Sequence, residues 1–427
     1  MLKAVSNALK LPDLRRKLVF TFVVLVVFRL AAHVPVPGIN PEGLRKIFEA
    51  NQLLGLLDMF SGGAMSNFSV MAMGIYPYIT ATIIFQLLQP LIPALAELAK
   101  EGEAGRNKLN QYMLFLTIPL AAAQGYAQGT LLQRGGALIN FGFGRTTLLP
   151  TLATLVTLTA GTMFAIWLGE LIDEQGIGNG ISLIIFSGVV SDIPGRVGTL
   201  ILGNPLGLFF FALVTVVTIV GIVFMQEGQR RIPVQYAKRI RGTKVYGGQS
   251  THIPLQVNSA GMIPLIFAVS IMLLPGVVAS YVVDSQVAWL ARTAQVVSKA
   301  FDSQGNIYWV LYFALVVGFT YFYTEIIFEQ QNLADMLQRQ GGFVPGIRPG
   351  KPTSSYLSGV IRRITFAGAL FLGIIAILPF LVRGVVGTGQ MLVTSTGLLI
   401  VVGTILDTMK QLEAQLLMRH YEGFIKK

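Results

Sequence analysis

Apolar runs of near-constant length recur along the chain, separated by short polar, glycine- or proline-bearing stretches. A hydrocarbon layer about 30 Å thick takes roughly 20 residues of apolar helix to cross. The runs at 18–34, 71–92, 109–128, 149–168, 177–193, 206–225, 259–279, 307–328, 364–382 and 391–409 fit that requirement. They predict an all-α membrane protein of ten transmembrane helices. The fifth run is the shortest, and Gly176-Ile177-Gly178-Asn179-Gly180 at its start is too glycine-rich for regular helix. Lys3, Lys10, Arg15, Arg16 and Lys17 precede the first run as in a signal peptide, but no small-residue cleavage site follows, so it reads as an uncleaved span.

Three stretches break the pattern. Loop 226–258 alternates apolar and polar at Ile232, Val234 and Tyr236, carries Gly247-Gly248, and alternates again over Ile253–Val257. This predicts a β-hairpin with its turn near the two glycines. Segment 329–363 is too rich in Pro and Gly at 341–352 for continuous helix and predicts a second large loop. Residues 53–70 are apolar but glycine-broken, which suits a re-entrant segment.

Composition removes the soluble alternatives. Hydrophobic residues make up 53% of the 427 residues and charged residues 12%, about half the charged share of a soluble domain. The net charge of +12 is distributed unevenly. The two termini and loops 93–108, 169–176, 226–258 and 329–363 hold 23 Lys and Arg, and the alternate loops hold 8. This bias puts both termini in the cytoplasm. Ten spans divide into halves at 1–193 and 206–427, joined by an outer loop at 194–205. Five spans per half force opposite topology, so two repeats would be inverted, with a central path between them.

The chemistry is notable for what is missing. Cysteine is absent and only His33, His252 and His420 are present, which leaves no stock for thiolate or His-based metal chemistry, and no cofactor is expected. No phosphate loop, metalloprotease motif or nucleophile elbow occurs. The ionisable residues within spans, Arg29, His33, Glu325 and Asp407, lie toward span ends and can reach water by snorkelling. An ion-coupled transporter needs charge at depth, and an intramembrane enzyme needs a paired nucleophile and base; neither pattern is visible. Energy for any transport must then come from a partner. Ile79 and Ile83, and likewise Ile181 and Ile185, sit four apart on one helix face. Such pairs form a water-excluding constriction if they face a lumen, or simple packing if they face lipid. Loop 226–258 interleaves basic residues with Tyr, which suits RNA phosphates or an acidic protein face. Arg348 sits on a Pro/Gly-stiffened loop.

Gly74–Leu88, Gly176–Ser182 and Asn332–Pro352 strongly resemble the SecY family, the central subunit of the bacterial protein-conducting channel, and Glu97–Asn110 and His420-Tyr421-Glu422 follow its pattern. The resemblance covers nearly the whole chain. It implies two inverted five-helix halves around a central pore in the bacterial cytoplasmic membrane. Such a channel is not an enzyme. It passes unfolded preproteins and opens sideways, between the second/third and seventh/eighth helices, to release apolar segments into the bilayer. By resemblance the pore ring falls on Ile79, Ile83, Ile181, Ile185, Ile266 and Ile400. The plug lies around 57–68, with Asp58, Phe60, Ser61, Gly62, Gly63, Ala64 and Met65 at its centre. Arg239, Arg241, Lys244, Arg348 and Tyr421 would dock the SecA motor or the ribosome, and SecE and SecG would brace the halves.

Overall fold

The computed structural model describes residues 9–50, 58, 61–203, 205–236, 239–241, 244–246, 250–282, 287–301, 305–386 and 394–425. Helices dominate. The first part of the chain gives α1 (Pro12–Ala31), α2 (Pro41–Ala50), α3 (Tyr76–Leu88), α4 (Pro93–Lys100), α5 (Glu103–Arg134), α6 (Leu148–Gln175) and α7 (Gly180–Gly203). The second gives α8 (Pro205–Glu227), α9 (Ile263–Val282), α10 (Ala288–Ala300), α11 (Asn306–Gln331), α12 (Leu333–Arg339), α13 (Lys351–Val386) and α14 (Thr394–Ile425). Pro12, Pro77 and Pro93 stand in first turns, where a missing N–H costs no helical hydrogen bond.

Each predicted apolar run overlaps a helix among the described residues, but ten membrane-crossing helices are not established. Among the described residues, Leu148–Gln175, Asn306–Arg339 and Lys351–Leu378 are long and apolar enough to cross a membrane. A fourth span results if Tyr76–Leu88 and Pro93–Ala99, bent by 107°, count as one. The apolar described parts of three further runs are shorter, at Gly180–Gly195, Ala212–Glu227 and Ile263–Met272. The second run yields helix only from Tyr76, because residues 61–75 fold as successive turns. The stretch 194–205, expected as loop, is helical to Gly203 despite Pro194. Likewise 351–363, expected as loop, is the first part of α13.

Helix α6 packs on α1, α5 and α7, with α1 on α7 and α3 on α5, while α9, α11, α13, α14 and α8 form a second set. The sets meet where α7 packs on α14 and α8, and where α3 packs on α9. Glycines let backbones approach in an environment that offers no hydrophobic drive between helices. A Cβ on Gly180 would lie 2.0 Å from the Gly169 carbonyl oxygen, and one on Gly188 would lie 2.1 Å from the Gly62 Cα.

The expected hairpin is present. β1 (Gln229–Tyr236) pairs antiparallel with β4 (Ser250–Gln256), placing Ile232 opposite Ile253. The alternation read from the sequence is the burial pattern, with Ile232 and Val234 buried and Arg231, Pro233 and Gln235 exposed. The chain reverses earlier than expected, between β2 (Arg239–Arg241) and β3 (Lys244–Tyr246), which pair with each other. Gly247-Gly248 lies outside the described residues. A third strand, β5 (Gly342–Phe343), joins β1 from the other loop. The two loops thus share one apolar cluster of Ile232, Val234, Leu255, Leu337, Val344 and Leu357.

Candidate channel site

Ile79 and Ile83 lie on α3, Ile185 on α7, Ile266 on α9 and Ile400 on α14. All five are buried members of one apolar cluster, against which the half-buried Ile181 packs. Four helices from both parts of the chain therefore send isoleucine side chains into a common core. Their heights follow from the turn at Gly176–Gly180. A Cβ on Gly178 would touch Thr408, and the Gly178 N–H donates to Gln411 Oε1 of α14 at 3.0 Å. Ile185 then stands roughly 10 Å up α7 and Ile400 about 12 Å up α14, at 1.5 Å per residue. Ile181 is only about 5 Å above the turn by the same measure. It packs toward α6, its Cγ1 being 3.5 Å from where a Gly169 Cβ would stand.

The turn itself is tied down on three sides. Ile177 N–H donates to Thr21 Oγ1 of α1 at 3.1 Å, Gly180 N–H to Asp173 Oδ1 of α6 at 2.8 Å, and Ser182 N–H to Asn179 Oδ1 at 2.9 Å. Asn179 thereby caps α7. Those bonds explain why so glycine-rich a stretch holds one shape.

Residues 61–70 form a turn-rich knot that shares the apolar cluster of the isoleucines. Ser61 Oγ donates to the Asp58 carbonyl at 3.0 Å and accepts the Met65 N–H at 3.0 Å. The Asp58 carboxylate accepts the Ser66 N–H at 2.7 Å. Gly63 N–H reaches the Asp58 carbonyl at 2.8 Å, and Ser69 N–H the Ala64 carbonyl at 3.0 Å. Ala64, Met65 and Phe68 are buried in the same cluster as the isoleucines. Phe60 and Leu57 lie outside the described residues. Phe68 is held at φ +38°, a strain of about 1–3 kcal/mol offset by full burial of its ring. The knot is also strapped to the chain after α1, where Val36 N–H meets the Phe68 carbonyl at 3.0 Å and Val70 N–H meets that of Val34 at 2.9 Å.

Two contacts at Gly62 were not legible beforehand. Its carbonyl accepts the Arg29 guanidinium, so Arg29 turns inward to the knot rather than snorkelling to water. A lone Arg in an otherwise apolar span was the available signal. Gly62 is also at φ +74°, and a Cβ there would lie 2.8 Å from the Phe28 ring. On α3, Tyr76 Oη donates to the Ser270 carbonyl of α9 at 3.5 Å. This contact lies in the seam where α3 packs on α9.

Arg348 is exposed. Its carbonyl accepts the Thr353 hydroxyl at 2.8 Å, and Ile347 N–H bonds the Val344 carbonyl at 3.0 Å, so the loop is fixed on the sheet cluster. Arg239 and Arg241 lie on β2 and Lys244 on β3, while Tyr421 lies on α14. A cleft of about 1000 Å³ opens near this end, lined by Glu325, Glu329, Asp335 and Arg362 among others. None of the six isoleucines lines it.

A sequence model of the SecY family matches residues 69–409. The "Protein translocase subunit SecY" of Halalkalibacterium halodurans is 45% identical, with all of both chains covered. Two solved structures share the fold. One, described as "The structure of a protein conducting channel", has a TM-score of 0.63 at 18% identity and covers 96% of each chain. The other, described as "Sec61 in the Canine ribosome-channel complex from the endoplasmic reticulum", has a TM-score of 0.59 at 17% identity and the same 96% coverage of each chain.

Proposed function

The chain belongs to the SecY family and is a subunit of a membrane channel for protein translocation; from that premise we propose that the isoleucine cluster is its pore ring and the knot at 58–68 its plug. The observation that carries the reading is that isoleucines from α3, α7, α9 and α14 and the apolar residues of the knot belong to one buried cluster. A passing polypeptide offers no constant chemistry to recognise. A collar of apolar side chains makes few specific contacts, closes around many shapes, and opposes water and ions when it closes on itself. In this reading the plug rests against the ring from the outer side, and Arg29 and Gly188 seat it. The seam of α3 with α9, continued by α11, is the lateral exit, and the Tyr76–Ser270 hydrogen bond is among the contacts an apolar segment must separate.

The domain reading that goes with it is residues 1–193 and 206–427 as inverted halves joined through 194–205. The positive-inside bias supports a bacterial cytoplasmic membrane location with both termini and the hairpin end in the cytoplasm. SecE and SecG as bracing subunits, the SecA motor, the ribosome and signal-bearing polypeptides are the proposed partners. The ribosome has the added support of the canine channel's fold likeness. Arg239, Arg241, Lys244, Arg348 and Tyr421 are the proposed docking residues, and the sheet that unites the two loops is a stiff base for them. Arg348 would present its guanidinium as a rigid fork to an acidic or phosphate partner.

Inverted vesicles carrying the wild-type chain with its partner subunits are expected to take up a preprotein with ATP and motor. Arg348→Glu should cut that uptake at least several-fold with the protein still inserted at normal abundance. Absence of uptake by the wild type contradicts the functional reading. Normal uptake by Arg348→Glu contradicts the docking role alone.

A further inference from the structure

Helix α10 joins the outer ends of α9 and α11 and is not used by the ring, the plug or the docking surface. It packs on α9 and follows Val282 and precedes Asn306 by short connections, of five residues each, which reach at most about 18 Å. It therefore cannot leave the neighbourhood of the span ends. Around its axis the residues sort into three stripes at helical spacing. Leu290, Ala294 and Val297 face inward, buried or half-buried. Trp289, Thr293 and Val296 form a second stripe that the protein leaves open, with Trp289 66% and Val296 68% exposed. Thr293 does not make that stripe polar, because its hydroxyl is engaged with the carbonyls of Trp289 at 3.1 Å and Leu290 at 2.9 Å. Arg292, Gln295 and Lys299 form the third, all exposed.

We propose that α10 is an interfacial membrane anchor, with Trp289 and Val296 set into the boundary between headgroups and acyl chains and with Arg292 and Lys299 against anionic lipid phosphates. Three observations select lipid as the occupant. The open apolar stripe is flanked on one side by cations, the arrangement of helices that lie in the interface plane. Tryptophan favours that depth, where its ring is in apolar surroundings and its N–H is wet. The stripe also continues the lipid-facing surface of the spans it joins, since Val278 of α9 and Ile307 and Val310 of α11 are exposed apolar residues near the same ends. The anchor would brace α9, one wall of the proposed lateral exit, against the membrane plane. That last consequence rests on the exit reading; the lipid contact does not.

The test uses the full chain in vesicles containing phosphatidylglycerol. Trp167→Phe with Trp309→Phe leaves Trp289 as the sole tryptophan. Lipids brominated near the headgroup end of both acyl chains should quench its emission strongly, deeply brominated lipids should quench it less, and aqueous acrylamide should quench it weakly. Because bromines occupy both leaflets, the result is independent of topology. Arg292→Glu with Lys299→Glu should increase the acrylamide quenching in anionic vesicles. A water-like emission maximum, open to acrylamide and blind to bromolipid, overturns the proposal. So does a shielded Trp289 blind to bromolipid, which would mean that a protein surface covers it. Should the double Phe variant fold poorly, a nitroxide on Val296→Cys in the otherwise cysteine-free chain reads the same depth by its accessibility to oxygen and to an aqueous relaxant. Greater access to the aqueous relaxant than to oxygen also overturns it.

Discussion

Ile83→Ser and Ile400→Ser channels will conduct ions at rest well above wild type and will export a preprotein whose signal is defective. Both side chains are buried in the apolar cluster, Ile400 completely. Removing a packed branched side chain costs about 2–5 kcal/mol where neighbours do not collapse into the space. In the ring that cost falls on the closed arrangement, because an open pore has already given up these contacts. A loss of 2–3 kcal/mol moves the closed-to-open ratio by roughly 30- to 150-fold. The hydroxyl adds a second effect by wetting a constriction that excludes ions through dewetting. Val156→Ser on α6 is the contrast, since Val156 is exposed on the helix surface and its change should leave gating alone. Resting conductance in planar bilayers, with signal-defective export in cells, checks both halves. Unchanged values in the two ring variants at normal abundance would remove Ile83 and Ile400 from the ring.

The second large effect is expected at Gly188. Its Cβ position is 2.1 Å from the Gly62 Cα and 2.8 Å from the Gly62 carbonyl carbon, both backbone atoms that cannot swing aside. Gly188→Val therefore forces the knot off α7, at an overpacking cost of about 1–3 kcal/mol. Gly62→Val strikes the same contact from the other side, with an unfavourable φ and the Phe28 ring in the way. Both variants should leak ions continuously while still exporting wild-type preproteins, as deletion of the segment should. Arg29→Leu, which leaves the Gly62 carbonyl without the guanidinium, should leak less than either. Gly195→Val lies on the same helix with nothing within 4 Å of the new atom and should be silent. Tight resting channels in both Gly188→Val and Gly62→Val would show that the knot is not what seals the pore.

The all-helical class was legible because the apolar runs recur along the chain, though fewer than ten of the described helices have spanning length, and the hairpin was legible because Ile232, Val234 and Tyr236 alternate. Two boundaries misled. Pro352 reads as a breaker, yet at the second position of α13 it costs nothing, and Leu357 and Ile361 then fall on one face against the sheet cluster. Pro194 reads as the end of a span, yet helix continues to Gly203. The union of the two polar loops through β1 and β5 needed a pairing between residues over a hundred positions apart, which no local pattern encodes. The ring is the sharper case. Ile79 and Ile83 have a spacing that invites notice, but Ile266 and Ile400 are indistinguishable from lipid-facing isoleucines by periodicity, and only the family resemblance singled them out. The Gly62 to Gly188 contact was invisible in the sequence, because a glycine marks a close approach without naming its partner.

The central claim is that the polypeptide passes through the isoleucine ring. A preprotein arrested in mid-passage, with a photo-crosslinking residue at Ile83, Ile266 or Ile400, tests it most directly. Crosslinks to the arrested chain from all three positions, and none from exposed Val156 or Phe115, are the predicted result. Crosslinks absent from the ring positions while the arrested chain still spans the membrane would contradict it.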